Sequence, residues 1–164
     1  MVEQSVPHRE ASLSISGPDG RDEPSDLLIH ASAVRFSGKG VLLLGPSASG
    51  KSDLALRLID AGGVLIADDQ VRLRREGDRL SAGPPERLAG LIELRGIGIM
   101  RVPFEEGPLD LAIDLLPAGA DLDPLPEPAS ASWLGVELPK IGLDADRPSA
   151  VARIRTVLGR ERVF

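Results

Sequence analysis

The chain has no cysteine and no tyrosine, one tryptophan and three phenylalanines. Without cysteine there is no disulfide, no thiolate nucleophile and no thiolate zinc site, and the absence suits a reducing cytoplasm. With so few aromatics, the core must be assembled from Leu, Ile, Val and Ala, which the 42% hydrophobic content supplies. No apolar run approaches the roughly 18 residues that span a bilayer, and no short apolar stretch follows a basic start, so neither a membrane span nor a secretory signal is expected. Lysine is scarce: Lys39, Lys51 and Lys140 stand among cations that are otherwise arginine. A net charge of −6 argues against non-specific nucleic-acid binding, which needs a positive face. At 164 residues the length suits one domain with a substantial core.

Against these absences stands one complete motif. Gly45, Pro46, Ser47, Ala48, Ser49, Gly50, Lys51 and Ser52 form G-x-x-x-x-G-K-[ST], a phosphate loop. Its two glycines permit a tight loop whose backbone N–H groups converge on phosphate oxygens. Lys51 adds a cation for the β- and γ-phosphates. Ser52 offers a hydroxyl to Mg²⁺ where a helix begins and its dipole favours negative charge. An apolar strand, Gly40 to Leu44, precedes the motif, and Leu54, Leu58 and Ile59 share one helical face after it. Nucleotide phosphate binding, with Mg²⁺, is the expectation.

Elsewhere the pattern is α/β. Residues 1–25 read as a loose polar tail containing His8, 27–158 as the folded domain and 159–164 as a C-terminal tail. Ile29 to Phe36 reads as one strand, turned at 37–40 into the loop strand. Gly62 and Gly63 close the helix. Val64 to Ala67 is a short buried strand ending at Asp68 and Asp69, and Val71 to Leu80 is a charged hairpin around Gly77-Asp78. Pro84-Pro85 introduces a turn or two of helix, Leu109 to Leu115 alternates as a strand, and 117–130 reads as loop. Val136 to Leu143 is a last strand and Ser149 to Leu158 a last helix.

Three features converge on the loop. The strand beside a phosphate loop commonly delivers a carboxylate to metal or nucleophile. Asp68 and Asp69 are placed for that, and alternation lets one reach the site while the other faces elsewhere; the pair also fits a simple turn. With Gly38-Lys39 as the hairpin turn, His30 faces Ser47; with the turn one residue earlier, it faces Gly45. Both registers put this histidine at the mouth of the site, able to hydrogen-bond a carboxylate or a γ-phosphate. Glu93 and Arg95 share a strand face beside Gly96 and Gly98. Glycines within a strand suggest close approach of a ligand or backbone. Glu93 is either a completing metal ligand or half of a surface ion pair.

Taken in order, His30, the 45–52 motif, Asp68-Asp69 and the segment IELRGIGIMR at 92–101 resemble the catalytic domain of the bacterial HPr kinase/phosphorylase family, over roughly Leu27 to Leu158. The resemblance implies an ATP-dependent serine kinase acting on HPr or an HPr-like phosphocarrier. Its roles would be Lys51 and the loop on the phosphates, Ser52 and Glu93 on Mg²⁺, and Asp69 as general base, or general acid in phosphorolysis, with His30 assisting. Residues 92–101 would serve both directions, and Arg147 would act from a loop tied to dephosphorylation. It further implies a mixed-sheet α/β fold similar to the nucleotide domain of phosphoenolpyruvate carboxykinase, assembly as a hexamer and a cytoplasmic setting.

The sequence departs from the family in several places. It reads as a short form without the N-terminal domain of longer members. Ala48 replaces a usual glycine, and Trp133 stands where the family commonly carries a catalytic arginine. The 146–149 segment keeps Arg147 and little else of a Pro-Gly-Arg-Asn loop. Two other readings remain open at this level: a phosphate-loop kinase of small molecules, with Asp69 only a metal ligand, and a nucleotide-sensing regulator that turns over slowly.

Overall fold

The structure is a computed structural model that describes residues 25–163. The tail expected over the first 25 residues, with His8, lies almost wholly outside the described residues. The first strands are β1 (Asp26–His30), β2 (Ser32–Phe36) and β3 (Lys39–Leu44), followed by helix α1 (Lys51–Asp60) and β4 (Val64–Ala67). Next come β5 (Gln70–Glu76), β6 (Arg79–Gly83), a 3-10 turn at Glu86–Leu88, β7 (Leu91–Leu94), β8 (Gly98–Arg101) and the short β9 (Gly107–Pro108). The C-terminal part supplies β10 (Leu111–Leu116), β11 (Ala129–Trp133), β12 (Val136–Asp144) and α2 (Ala150–Gly159).

Six strands form a mixed sheet in the order β11-β12-β10-β3-β2-β4, in which β3, β10, β12 and β4 run one way and β2 and β11 the other. A second sheet, β1-β5-β6-β9, covers one of its faces, and β7 with β8 makes a separate hairpin. The period-2 alternation of the central strands explains the three layers. Val34, Phe36, Val41, Leu43, Ile113 and Leu115 point towards Leu54 and Leu58 of α1 and Ile154 of α2. Ala33, Leu42 and Ala112 point the other way, onto Val71, Leu73 and Leu80 of the second sheet. Each such fully buried Leu or Ile contributes roughly 1.5–3 kcal/mol of transfer free energy.

Local signals fix the joints. Ser37 and Gly38 both have positive φ, 51° and 75°, the two-residue turn that matches strand twist, and Phe36 pairs with Lys39. This is the expected register with the turn one residue earlier than Gly38-Lys39. The single strand expected over Ile29 to Phe36 is broken, however. At Ala31 the chain changes sheets, and the Ala31 N–H bonds the Asp69 carbonyl instead of a sheet neighbour. The end of α1 is satisfied by Gly62 N–H on Ile59 O and Gly63 N–H on Leu58 O, with Gly62 at φ 104°. Part of the segment expected as loop at 117–130 becomes β11, joined to β12 through a turn at Leu134 and Gly135, both at positive φ.

Candidate functional site

The register places one end of everything that matters at one edge. β3, β10 and β12 run parallel and end there, at Leu44, Leu116 and Asp144; β2 begins there at Ser32, and β4 delivers Asp68 and Asp69 there. Such edges, outside the carboxyl ends of parallel strands, are where α/β sheets leave a crevice. Here the crevice is a cavity of about 580 Å³, lined among others by His30, Ser47, Lys51, Ser52, Asp69 and Glu93.

The 45–52 loop forms its floor. Lys51 is 6% exposed and folds its ammonium back into the loop, donating to Gly45 O at 2.7 Å, Pro46 O at 2.8 Å and Ser49 Oγ at 3.4 Å. Burial pushes this lysine below its ordinary pKa, with the charges of Asp69 and Asp68 acting in the opposite direction. Gly50, at φ 94°, precedes α1 without any side-chain cap, so the first-turn N–H groups are open towards the cavity. Ala48 takes φ 63°, the left-handed region that suits glycine, at a cost of roughly 1–2 kcal/mol.

Asp68 and Asp69 divide between wall and opening. Asp68, 4% exposed, accepts from Ser52 Oγ at 2.8 Å, from Ser32 Oγ at 2.7 Å and from the Glu93 N–H at 3.3 Å. Asp69 takes φ 66°, and its side chain, 64% exposed, meets His30 Nε2 at 3.2 Å. The left-handed turn at Asp69 ends strand alternation there: Asp69 lines the cavity, while Asp68 does not and lies behind Ser52, bonded to its hydroxyl. His30 reaches the mouth of the site, but through β1, where it pairs with Gln70 and not with the loop.

Glu93 and Arg95 both line the cavity, yet they do not share a strand face. Leu94 pairs with Gly98, so Arg95, Gly96 and Ile97 are the hairpin turn. A Cβ on Gly96 or Gly98 would meet nothing within 4 Å; their positive φ, 82° and 138°, and not close approach, is what calls for glycine. Around Ser52 the possible ligands are all oxygen: its hydroxyl, the Glu93 carboxylate and, one bond behind, Asp68. Among the described residues no cluster of three or more His, Cys, Asp or Glu side chains forms a metal cage. That donor set fits Mg²⁺, which takes one or two protein oxygens and completes its shell with water and phosphate.

Arg147 and Trp133 stay outside. Arg147 lies beside Asp144, its Nε 3.7 Å from Oδ2, and does not line the cavity. Trp133 packs with the second core cluster at the Val136 end of β12, the opposite end of a nine-residue strand from Asp144.

Two residues went unnoticed in the sequence. Ser32 is one, although a hydroxyl between alanines in an apolar strand was a visible signal. Asp144 is the other. It is 5% exposed, and the N–H groups of Gly119 and Asp146, at 3.1 and 3.0 Å, hold its carboxyl below the usual range, helped by Arg147. A depressed folded pKa stabilises the protein above the unfolded value of about 3.9 and ceases to do so as pH falls through the folded one. The urea midpoint of Asp144→Asn is therefore expected below that of wild type at neutral pH, with the gap closing under acid conditions. A gap that stays constant into acid would show that the carboxylate contributes nothing through its charge.

Fold and site together define a mixed-sheet α/β domain with a crevice lined by hydroxyl, carboxylate and lysine groups at the ends of its parallel strands. The sequence model of the HPr Serine kinase C-terminal domain matches residues 24–107, just over half of the 164. The structure of the HPr(Ser) kinase/phosphatase from Coxiella burnetii aligns with a TM-score of 0.70 and 31% identity, covering 80% of this chain and 93% of that one. The chain belongs to the HPr Serine kinase C-terminal domain family. Among its relatives, the HPr kinase/phosphorylase of Caldanaerobacter subterraneus is 48% identical over 77 residues, 46% of this chain and 25% of that protein. That of Bacillus pumilus is 47% identical over 75 residues, 45% of this chain and 24% of that protein. The alignments thus span about a quarter of the length of these relatives. Among the described residues no helix is long and apolar enough to cross a membrane.

Proposed function

We propose that the chain transfers the γ-phosphoryl group of ATP to a serine of HPr or an HPr-like phosphocarrier. The observation that carries this reading is the division of labour between adjacent carboxylates: Asp68 bonded to the Ser52 hydroxyl, and Asp69 open at the mouth of the same cavity. Loop N–H groups and Lys51 hold the β- and γ-phosphates, which requires Lys51 to leave the carbonyls of Gly45 and Pro46. Ser52 and Glu93 would hold Mg²⁺, which supplies charge neutralisation on the phosphates when bound. The acceptor Oγ forms its bond to phosphorus as the bond to the β-phosphate oxygen breaks, and its proton passes to Asp69. His30 fixes the Asp69 carboxylate. The cradle has the role of the nucleotide domain in phosphoenolpyruvate carboxykinase, and the hexamer implied by the family resemblance belongs to the same proposal.

Incubation of the purified chain with ATP, Mg²⁺ and HPr, read by intact mass, tests it: HPr is expected to gain one phosphoryl group. Phosphorylation of small acceptors alone would replace the reading with a small-molecule kinase. Adding inorganic phosphate to the phosphorylated carrier reads the reverse direction, in which anionic oxygens crowd together and need cations. With tryptophan at 133 in place of the family's arginine, that reaction is expected to be slower than the forward one; what remains of it would draw on Arg147, the cation kept beside Asp144, so Arg147→Ala is expected to reduce it more than phosphorylation. Equal forward and reverse rates, or an Arg147→Ala variant unchanged in both, would refute this.

A further inference from the structure

We propose that Ser32 is a positioning residue: by locking the Asp68 carboxylate, it aims the Ser52 lone pairs at the cation that accompanies the nucleotide. The inference rests on the nucleotide-phosphate reading above and deepens it.

The geometry comes from three consecutive residues gripping two. His30 Nε2 meets the Asp69 carboxylate, the Ala31 N–H bonds the Asp69 carbonyl at 3.2 Å, and Ser32 Oγ donates to Asp68 Oδ1 at 2.7 Å. This grip coincides with the break between the two sheets, so the strand sacrifices continuity at the place where it holds both aspartates. Ser32 is 0% exposed, so its hydroxyl has no access to bulk water.

A serine hydroxyl carries one proton and two lone pairs. The Ser52 hydroxyl donates to Asp68, its Oγ 2.8 Å from Oδ1 and 3.1 Å from Oδ2, which leaves its lone pairs for a cation. Where those lone pairs point depends on the torsion of the Asp68 carboxylate. Among the described residues, Oδ2 is tied by the Glu93 N–H at 3.3 Å and the longer Ser52 contact. Oδ1 carries the short bond from Ser32. Without that bond the carboxylate turns more freely and the Ser52 oxygen turns with it. Groups that orient a metal ligand in this way commonly govern affinity without touching the metal.

The test uses binding of ADP carrying a fluorescent reporter, titrated with and without Mg²⁺. In Ser32→Ala, with its thermal midpoint checked, the Mg²⁺ concentration that half-saturates the gain in affinity is expected to rise about tenfold, while Mg²⁺-free affinity stays within about twofold. Ser32→Thr, which keeps the hydroxyl, is expected to retain the wild-type requirement, and Ser32→Cys, a feebler donor of similar shape, to move in the direction of alanine if the alanine variant does not fold. In an Asp68→Asn background, adding Ser32→Ala is expected to change little, because the two act as one unit. An unchanged Mg²⁺ requirement in Ser32→Ala, or an equal rise in the Asp68→Asn background, overturns the proposal. So does a wild-type protein whose ADP affinity ignores Mg²⁺. A Mg²⁺-dependent gain without phosphotransfer to HPr overturns only the kinase reading.

Discussion

Lys51→Ala is expected to lower phosphotransfer by at least about 10²–10³-fold, because the one lysine ammonium in the cavity is the group placed to stabilise charge on the transferring phosphoryl. Its burial has a second consequence. The ammonium is bonded to Gly45 O and Pro46 O, so alanine removes a tie within the loop as well as a cation. A hydrogen bond from a charged donor contributes roughly 1.5–3 kcal/mol, here set against the cost of keeping the charge out of water. The net change in melting temperature is therefore expected to be small, and the loss of activity large. ATP affinity by calorimetry, phosphotransfer by mass and unfolding by circular dichroism separate these effects. A folded Lys51→Ala protein with wild-type activity would remove the phosphate-loop assignment.

Asp69→Asn is expected to lower kcat by about 10²–10⁴-fold with ATP affinity retained, the range for loss of a positioned general base. Asparagine is the right substitution, since it tolerates the left-handed backbone that Asp69 occupies and so removes charge without strain. Asp68→Asn is expected to fail differently. Its carboxylate accepts two hydroxyls and one N–H; an amide offers one acceptor oxygen and brings its own donors into a packed wall. Its loss should appear first as a raised Mg²⁺ requirement and weaker nucleotide binding. If kcat and Mg²⁺ dependence change alike in both variants, the two carboxylates do not have separate duties.

The central strand, the loop and both helices were legible because each is written locally. The apolar run from Val41 to Leu44, the glycine spacing of 45–50 and the helical spacing of Leu54 and Leu58 need no distant partner to be recognised. The Gly77-Asp78 hairpin was legible for the same reason, with Glu76 paired to Arg79. What escaped depends on tertiary contacts. Nothing near Ala31 says that the strand must change sheets; the reason is the Asp69 carbonyl, which is remote in sequence. The left-handed backbone of Asp69 was hidden likewise, because aspartate is equally common in ordinary turns. β11 alternates Ala with Ser, a pattern of too little hydrophobic contrast to stand out, and is recruited by pairing with β12. Arg147 lies beside Asp144, three residues before it, and outside the cavity lining.

The central position of β3 also sets an order of assembly. One of its edges is completed by β2 through a two-residue turn, the other by β10, with Val41 facing Leu111. Gly40 sits at that junction: its N–H donates to Asp110 Oδ2, its carbonyl accepts the Asp110 N–H, and a Cβ would collide with the Pro108 carbonyl. Closing a segment of some 70 residues costs about 2.5 kcal/mol more loop entropy than closing a tight hairpin, so the second edge forms late. During synthesis from the N-terminus, the loop strand therefore emerges with Val41 and Leu43 still lacking Ile113, Leu115 and Ile154, which complete their cluster. A fragment cut at residue 107 would carry every residue that lines the cavity and still present an open, apolar strand edge to its neighbours.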